Sequence, residues 1–485
     1  MDIGEIQRRA RKGPRALLAR RAFAVCIGLI ATVVIPRFVP PRAYGLAAMS
    51  AAIFALAEMF KDFGLTNALL RKGDIRPAEI SFLFWFNAAA TVALTVLIAL
   101  AAPLAAIFFG EPMVAPVMLA SLVGFAAGGL SLQHRSVMIR DLRFDEMAVI
   151  DGCTILLQFA VTLAVAVVTH DVWAIVAGSV AAGLLGAGLN IVVSRWKPGP
   201  PQWLPEARTL FAFGANTSLY AFSIFAANNV AAILIGRLFG PAPLGQYNRA
   251  VALQVIPANN AVGPLAQAVL PVLAGLRSEA ALYRKTYLDL VRHLNMIALP
   301  AAVLMTLAGP PLAVAALGPQ WVQSGLVLQA LGPAVAALGF GYAVSDLFIT
   351  QDRSKELGLL GLFELIFRLL GVAAGLPFGV VGAAAGFSAS TLIVVLIRIA
   401  VAGRSGPVSF GDHLAAAAPA LPLALGALIG GGTGLYGAVR LALEPLPAAI
   451  AICGLGALFS GVLGLAVAPS RRALLGMAAA LRGSA

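Results

Sequence analysis

The sequence predicts an all-α polytopic membrane protein with about 14 transmembrane helices. Two observations predict it. The chain is 60% hydrophobic and 11% charged, with a mean hydropathy of +0.92, too little charge to coat a soluble surface. Its apolar runs are each long enough for a helix, and none shows the short alternating pattern of a membrane barrel strand.

Taken in order, runs of about 20 apolar residues begin near residues 21, 44, 80, 112, 147, 172, 209, 247, 287, 323, 357, 379, 413 and 446. The net charge of +13 raises the question of a nucleic-acid partner, and the distribution of charge answers it. With the N-terminus inside, all but six of the 34 Lys and Arg fall in cytoplasmic segments; Arg37, Arg42, Arg237, Arg249 and Arg440 lie outside and Arg368 lies inside a span. That is the positive-inside asymmetry, so the basic balance reports topology and no nucleic-acid partner is expected. Both termini are expected in the cytoplasm. The tail is too charged, and its first span too long, for a cleaved signal peptide. Cys26, Cys153 and Cys453 fall in separate spans, and His134, His170, His293 and His413 form no ligand spacing. Neither a metal nor any other cofactor is expected.

The chain repeats itself at an offset of 200. IPRFVPPRAYG (35–45) and IGRLFGPAPLG (235–245) share Ile35/Ile235, Arg37/Arg237, Pro41/Pro241 and Gly45/Gly245 in register. Leu65, Ala68 and Leu70 then match Leu265, Ala268 and Leu270. Both copies begin on an odd-numbered span and cross in the same direction, the arrangement of parallel transporter repeats. Three parts are expected: an N-terminal lobe over 1–200, a C-terminal lobe over 201–405, and two extra spans with a cytoplasmic tail over 406–485. The Pro/Gly-rich RWKPGPPQWLPEA (195–207) reads as the link between lobes.

VPPRAYGLAAMS (39–50), FKDFGLTNALLRKGDI (60–75) and HRSVMIRDLRFDEMAVID (134–151) resemble signatures of bacterial polysaccharide transporters. PLGQYNRAVALQVIPANNAVGPLAQAVLPVLAGLR (243–277) and LGPQWVQSGLVLQAL (317–331) extend the resemblance, which covers roughly residues 20–400. This is the Wzx-like family of the multidrug/oligosaccharidyl-lipid/polysaccharide exporter superfamily. The resemblance implies two pseudo-symmetric lobes around a central cavity in the bacterial inner membrane. It also implies flipping of an undecaprenyl-diphosphate-linked oligosaccharide for exopolysaccharide, capsule or O-antigen synthesis. Membrane lipids, a polysaccharide polymerase and chain-length proteins are the partners to expect.

Such a cargo needs amides for its sugars and cations for its diphosphate. Asn216, Asn228 and Asn229 on span seven, with Arg249, Asn259 and Asn260 on span eight, are the candidate substrate-binding residues. On an unbroken helix Arg249 and Asn260 would face one side to within roughly 20°. Pro257 and Pro264 are expected to bend that helix. The bland alternative for these amides is interhelical hydrogen bonding. Arg37 and Arg237 near the outer face, and Lys61 and Asp62 at the inner end of span two, are candidate gates. Snorkelling to the interface is the bland explanation of the arginines, and a solvated helix end that of Lys61 and Asp62.

GLFELIFRLLG (361–371) puts Glu364 and Arg368 near mid-membrane, where an unpaired charge costs about 2.5–3.5 kcal/mol or more. Their i,i+4 spacing, Glu first, favours an ion pair. The pair either cancels its own cost structurally or couples transport through a titrating Glu364, and Asp346 is a second candidate partner for Arg368. Two other functions remain in view. A cation-coupled multidrug or lipid exporter would want isolated acids in a compact cavity. A membrane-bound glycan-assembly enzyme would want paired carboxylates on a sizeable loop, and the outer acids Glu111, Asp171 and Glu444 are far apart in sequence.

Overall fold

The structure is a computed structural model that describes residues 25–62, 76–201 and 226–483. Every regular element among these residues is helical. Among the described residues, eight helical stretches are long and apolar enough to cross a membrane, or nine when one bent pair is joined. Asn216, Leu65, Ala68 and Leu70 lie outside the described residues.

The chain divides into two compact units. The first takes its described residues from Met1–Phe225 and Gly236–Gly245. It contains α1 (Val25–Arg37), α2 (Pro41–Asp62), α3 (Pro77–Phe109), α4 (Val114–Arg140), α5 (Phe144–Thr169) and α6 (Val172–Ser194). Helix ends follow local chemistry. Pro77 opens α3 behind an Arg76–Glu79 capping box, and Gly110 closes it at φ +67°, a conformation that suits glycine. Asp171 caps α6 by accepting from the Val172 amide at 2.6 Å. α3 packs on α4, and α6 on both α4 and α5. Leu100, Leu104 and Ile107 on α3 stay 67–75% exposed, a face suited to hydrocarbon rather than water.

Within this unit the repeat signature makes a reciprocal contact. A Cβ on Gly45 would sit 1.7 Å from the Pro241 carbonyl oxygen, and one on Gly245 would sit 1.8 Å from that of Pro41. Equivalent residues of the two copies therefore meet backbone to backbone, which only glycine permits.

The second unit takes residues Ala226–Ile235 and Gln246–Ala485. Two helices cross the boundary of the division, α7 (Ala226–Phe239) and α8 (Pro241–Gln254). The helix is interrupted where the prolines stand: α8 stops, a π turn runs Ala258–Val262 after Pro257, and α9 resumes over Gly263–Gly275. Then follow α10 (Ala280–Leu317), α11 (Val322–Val335), α12 (Leu338–Thr350), α13 (Ser354–Gly375) and α14 (Gly379–Ala402). The last elements are α15 (Phe410–Ala417), α16 (Leu421–Arg440), α17 (Pro445–Ala466) and α18 (Ala468–Gly483). α10 is the hub, packing on α11, α12, α16 and α17. α13 and α14 approach through Gly371, Gly375, Gly382 and Gly386, where any added Cβ would fall within 2.5 Å of backbone oxygen. That closeness lets charges on the two helices meet.

Candidate functional site

On α13, Glu364 and Arg368 stand one turn apart, and the Arg368 guanidinium reaches the Glu364 carboxylate at 2.6 Å. Their side chains are 9% and 11% exposed, so little solvent screens the pair. The cluster extends beyond two residues. Arg398 of α14 lies 3.6 Å from the other Glu364 oxygen, and its guanidinium donates to Ser345 Oγ of α12 at 2.6 Å. Arg368 also donates to Asn228 Oδ1 on α7 and stacks over the Phe387 ring, 4.8 Å from its centroid. One carboxylate thus holds two guanidiniums from neighbouring helices, and the second arginine is what the sequence concealed. Spacing made Arg398 look like a cytoplasmic loop charge, whereas it sits in the last two turns of α14, 12% exposed.

Asp346 is not the second partner of Arg368. It is 8% exposed on α12, and its Oδ2 has no hydrogen-bond partner among the described residues. Ser345 beside it takes the arginine contact, and that arginine is Arg398.

The expected substrate residues separate into groups. Arg249 is half-buried and donates to its neighbour Asn248 at 2.9 Å. Asn260 is exposed and donates to the Ile256 carbonyl at 2.9 Å, and Asn259 is exposed beside it. The register that aligned Arg249 with Asn260 assumed an unbroken helix; α8 ends at Gln254 and Asn260 itself lies in the π turn, so the two do not share one regular helix. Asn228 faces Arg368, and Asn229 is half-buried.

In the first unit, Lys61 is not at a solvated helix end. It is 4% exposed, bonded to Glu58 at 2.6 Å and seated over the Phe125 ring at 4.3 Å. Asp62 closes α2 beside it. Arg37 and Arg237 are exposed, and Arg237 lies 5.9 Å from the Phe108 ring centroid. A sequence signal was available for one further feature, the R-x-x-E shared by DLRFDE (141–146) and QDRSKE (351–356), and it was missed. Arg143 grips Glu146 and the Ser194 and Val193 carbonyls; Arg353 grips Glu356 and the Ala402 and Val401 carbonyls.

The second unit also carries an apolar cavity of about 520 Å³ lined by Val303, Leu425, Leu428, Leu463 and Val467. A smaller one of about 300 Å³ shares Val303 and Leu428. Neither offers a polar wall, so each suits a hydrocarbon chain and not a sugar.

A family described as "Polysaccharide biosynthesis protein" matches residues 34–325, more than half of the chain, and the chain belongs to that family. It is 22% identical over 368 residues to the lipopolysaccharide biosynthesis protein WzxC of Escherichia coli, covering 74% of each chain. It is 24% identical over 280 residues to the teichuronic acid biosynthesis protein TuaB of Bacillus subtilis, covering 57% of each. Its fold is similar to that of the lipid II flippase MurJ in an inward closed conformation, with a TM-score of 0.70 at 13% identity over 92% of this chain and 97% of that one. It is also similar to an inward-facing MATE multidrug transporter, with a TM-score of 0.57 at 17% identity over 77% and 92%.

Proposed function

We propose that this member of the polysaccharide biosynthesis protein family is a flippase, moving a lipid-linked oligosaccharide from the cytoplasmic to the outer leaflet of a bacterial inner membrane. The observation that carries this reading is a coincidence. A family named for polysaccharide biosynthesis matches a chain whose fold follows a lipid II flippase along 92% of its length. The chain is accordingly read as a transporter and not an enzyme, with both termini cytoplasmic.

The cargo is taken to be an oligosaccharide on undecaprenyl diphosphate, destined for exopolysaccharide, capsule or O-antigen. Polymerase and chain-length proteins are the partners that would consume it. Two lobes over 1–200 and 201–405 are taken to enclose its polar head, with Arg249 supplying a cation to the diphosphate and Asn259 and Asn260 meeting sugar hydroxyls. Asn216, Asn228 and Asn229 belong to the same proposal, and Arg37, Arg237, Lys61 and Asp62 to its gates. The apolar cavity beside Val303 and Leu428 suits part of the carrier chain. A diphosphate leaving a negative interior gains about 2.3 kcal/mol per charge per 100 mV, a drive independent of any acid in the membrane.

Deleting the gene is expected to abolish an exported polysaccharide and leave lipid-linked repeat units on the cytoplasmic leaflet. Export that persists without a paralogue overturns the reading, and drug hypersensitivity would favour a multidrug exporter. Arg249→Ala should stop flipping in a protein that still inserts. Arg249→Lys should rescue in part, because an ammonium lacks the bidentate fork.

A further inference from the structure

A buried polar seam runs along α10 and α12, apart from the Glu364 cluster, and it ends on a residue of the C-terminal extension. Tyr283 Oη bonds Thr350 Oγ1 at 2.7 Å at one end, and Gly339 packs on Asn295 nearer the other. The helices are antiparallel, so these two contacts fix a register in which Tyr287 faces Asp346, one turn from the Tyr283–Thr350 bond. The Tyr287 hydroxyl accordingly lies within electrostatic reach of both the Asp346 carboxyl and the Arg398 guanidinium.

Tyr287 also faces the other way. Its hydroxyl lies 2.9 Å from His413 Nε2, and both side chains are fully buried. His413 Nδ1 lies 2.8 Å from the Ser409 carbonyl oxygen. A carbonyl only accepts, so Nδ1 carries the proton. Neutral His413 then has a bare Nε2, and Tyr287 must donate to it. The phenolic proton is thus held by His413, and Asp346 Oδ2, across the α10–α12 register from Tyr287, is a buried oxygen with no partner among the described residues.

We propose that His413, Tyr287 and Asp346 form a proton relay joining the exposed Ser409–Asp412 end of α15 to the buried charge cluster of the second unit. In the release direction three bonds change together. The Asp346 carboxyl proton passes to Tyr287 Oη, the Tyr287 proton passes to His413 Nε2, and the imidazolium then sheds its Nδ1 proton to water beside Ser409. Loading is the reverse, and one proton is conserved throughout. This gives the C-terminal extension a task, since it supplies His413.

The charged and titratable groups facing Asp346 are few. They are Tyr287 and Tyr283 from α10, Arg398 from α14, and Glu364 with Arg368 from α13 through Arg398. The π turn and α9, the other elements packed on α12, contain no titratable side chain. His413 is bordered by Asp412, which pairs with Arg284 at 2.7 Å. Loss of a proton from Asp346 places a carboxylate next to Ser345, the residue that holds Arg398, the second guanidinium on Glu364. The relay can therefore alter the Glu364–Arg368–Arg398 cluster without touching cargo. That it drives transport rests on the flippase reading; that it conducts a proton does not.

Infrared difference spectra of the full chain in proteoliposomes, titrated from acid to alkaline, test the relay with the proton as the only ligand. The expected result is a titrating protonated-carboxyl band that disappears in Asp346→Asn. Its hydrogen–deuterium exchange should slow about a hundredfold in Tyr287→Phe and in His413→Gln, because each removes a proton-transfer group. Unchanged exchange in a folded Tyr287→Phe protein overturns the relay. Should a variant fail to fold, wild-type protein carrying carbon-13 at its aspartate side chains decides. A shifted band that titrates and exchanges rapidly supports the relay, and a band that exchanges slowly, or none at all, overturns it. These spectra contain no cargo, so failure of the flippase reading leaves them unaltered. Wild-type oligosaccharide export by an abundant Tyr287→Phe protein would remove the coupling role and leave the flippase reading standing.

Discussion

The two units turn their inner corners in the same way and fill their interiors differently. At the α4–α5 corner, Leu142 adopts φ +55°, and Arg143 then grips Glu146 and the α6 carbonyls of Val193 and Ser194. At the α12–α13 corner, Asp352 adopts φ +55°, and Arg353 grips Glu356 and the α14 carbonyls of Val401 and Ala402. Each arginine caps a foreign helix C-terminus while tying down the first turn of its own helix. The Glu146 hydrogen bond raises the Arg143 guanidinium still further above its ordinary value, so that clamp keeps its charge at any physiological pH. Deeper in, the likeness ends. The second unit buries Glu364 and Asp346 mid-helix and nearly covers Arg368 and Arg398, whereas the buried charges Lys61 and Glu79 of the first unit sit at helix ends and the middles of α3, α4 and α6 bury the amides Asn87, Gln133 and Asn190. A corner must satisfy the same orphan carbonyls in either copy. An interior is free to diverge, so the divergence marks where each copy does its own work.

The sharpest break of this comparison is at Glu364. Removing one member of a buried pair costs about 3–5 kcal/mol, because the other charge is left uncompensated. Glu364→Gln should therefore lower protein abundance strongly, more so than a pair alone predicts, since both Arg368 and Arg398 lose their carboxylate. Arg368→Gln should cost less, because Arg398 remains. An immunoblot of membranes checks both. A Glu364→Gln/Arg368→Gln protein that is abundant and active would make the cluster structural; one that is abundant and inactive would make it part of the transport cycle.

Next in size is the reciprocal glycine contact. Gly45→Ala or Gly245→Ala forces backbone apart and should destabilise by about 1–3 kcal/mol. Melting temperature in detergent checks this, and the two losses should match, because the contacts mirror each other. A neutral Gly45→Ala would show that the mirrored contact is not tight.

The corner clamps should match as well. Arg143→Ala and Arg353→Ala each leave carbonyls and a carboxylate without a partner, for about 1–3 kcal/mol apiece. Thermal unfolding of the single and double variants tests whether the losses are equal and additive. A loss at one corner only would show that the shared geometry hides unequal roles.

The smallest effect is expected at the Arg42–Glu111 bridge of the first unit. It is 2.8 Å long, but its arginine is 62% exposed, and such pairs contribute about 0–1 kcal/mol. Arg42→Ala should leave the melting temperature nearly unchanged; a large drop would mean that this pair is shielded by something other than protein.

Much of this protein was legible along the chain. Apolar run length set the helical class, because a backbone in hydrocarbon must satisfy its own hydrogen bonds. Pro257 announced the break after α8, and the i,i+4 spacing announced the Glu364–Arg368 pair, since both act within one or two turns. What the tertiary structure alone decided joins residues distant in sequence. Arg398 reaches Glu364 from another helix, Tyr287 meets His413 across 126 positions, and Phe125 and Glu58 enclose a Lys61 that looked solvated. No local pattern specifies such meetings. They depend on which helix faces pack and how closely, as the bare glycines between α13 and α14 allow, and that is settled only when the helices are together.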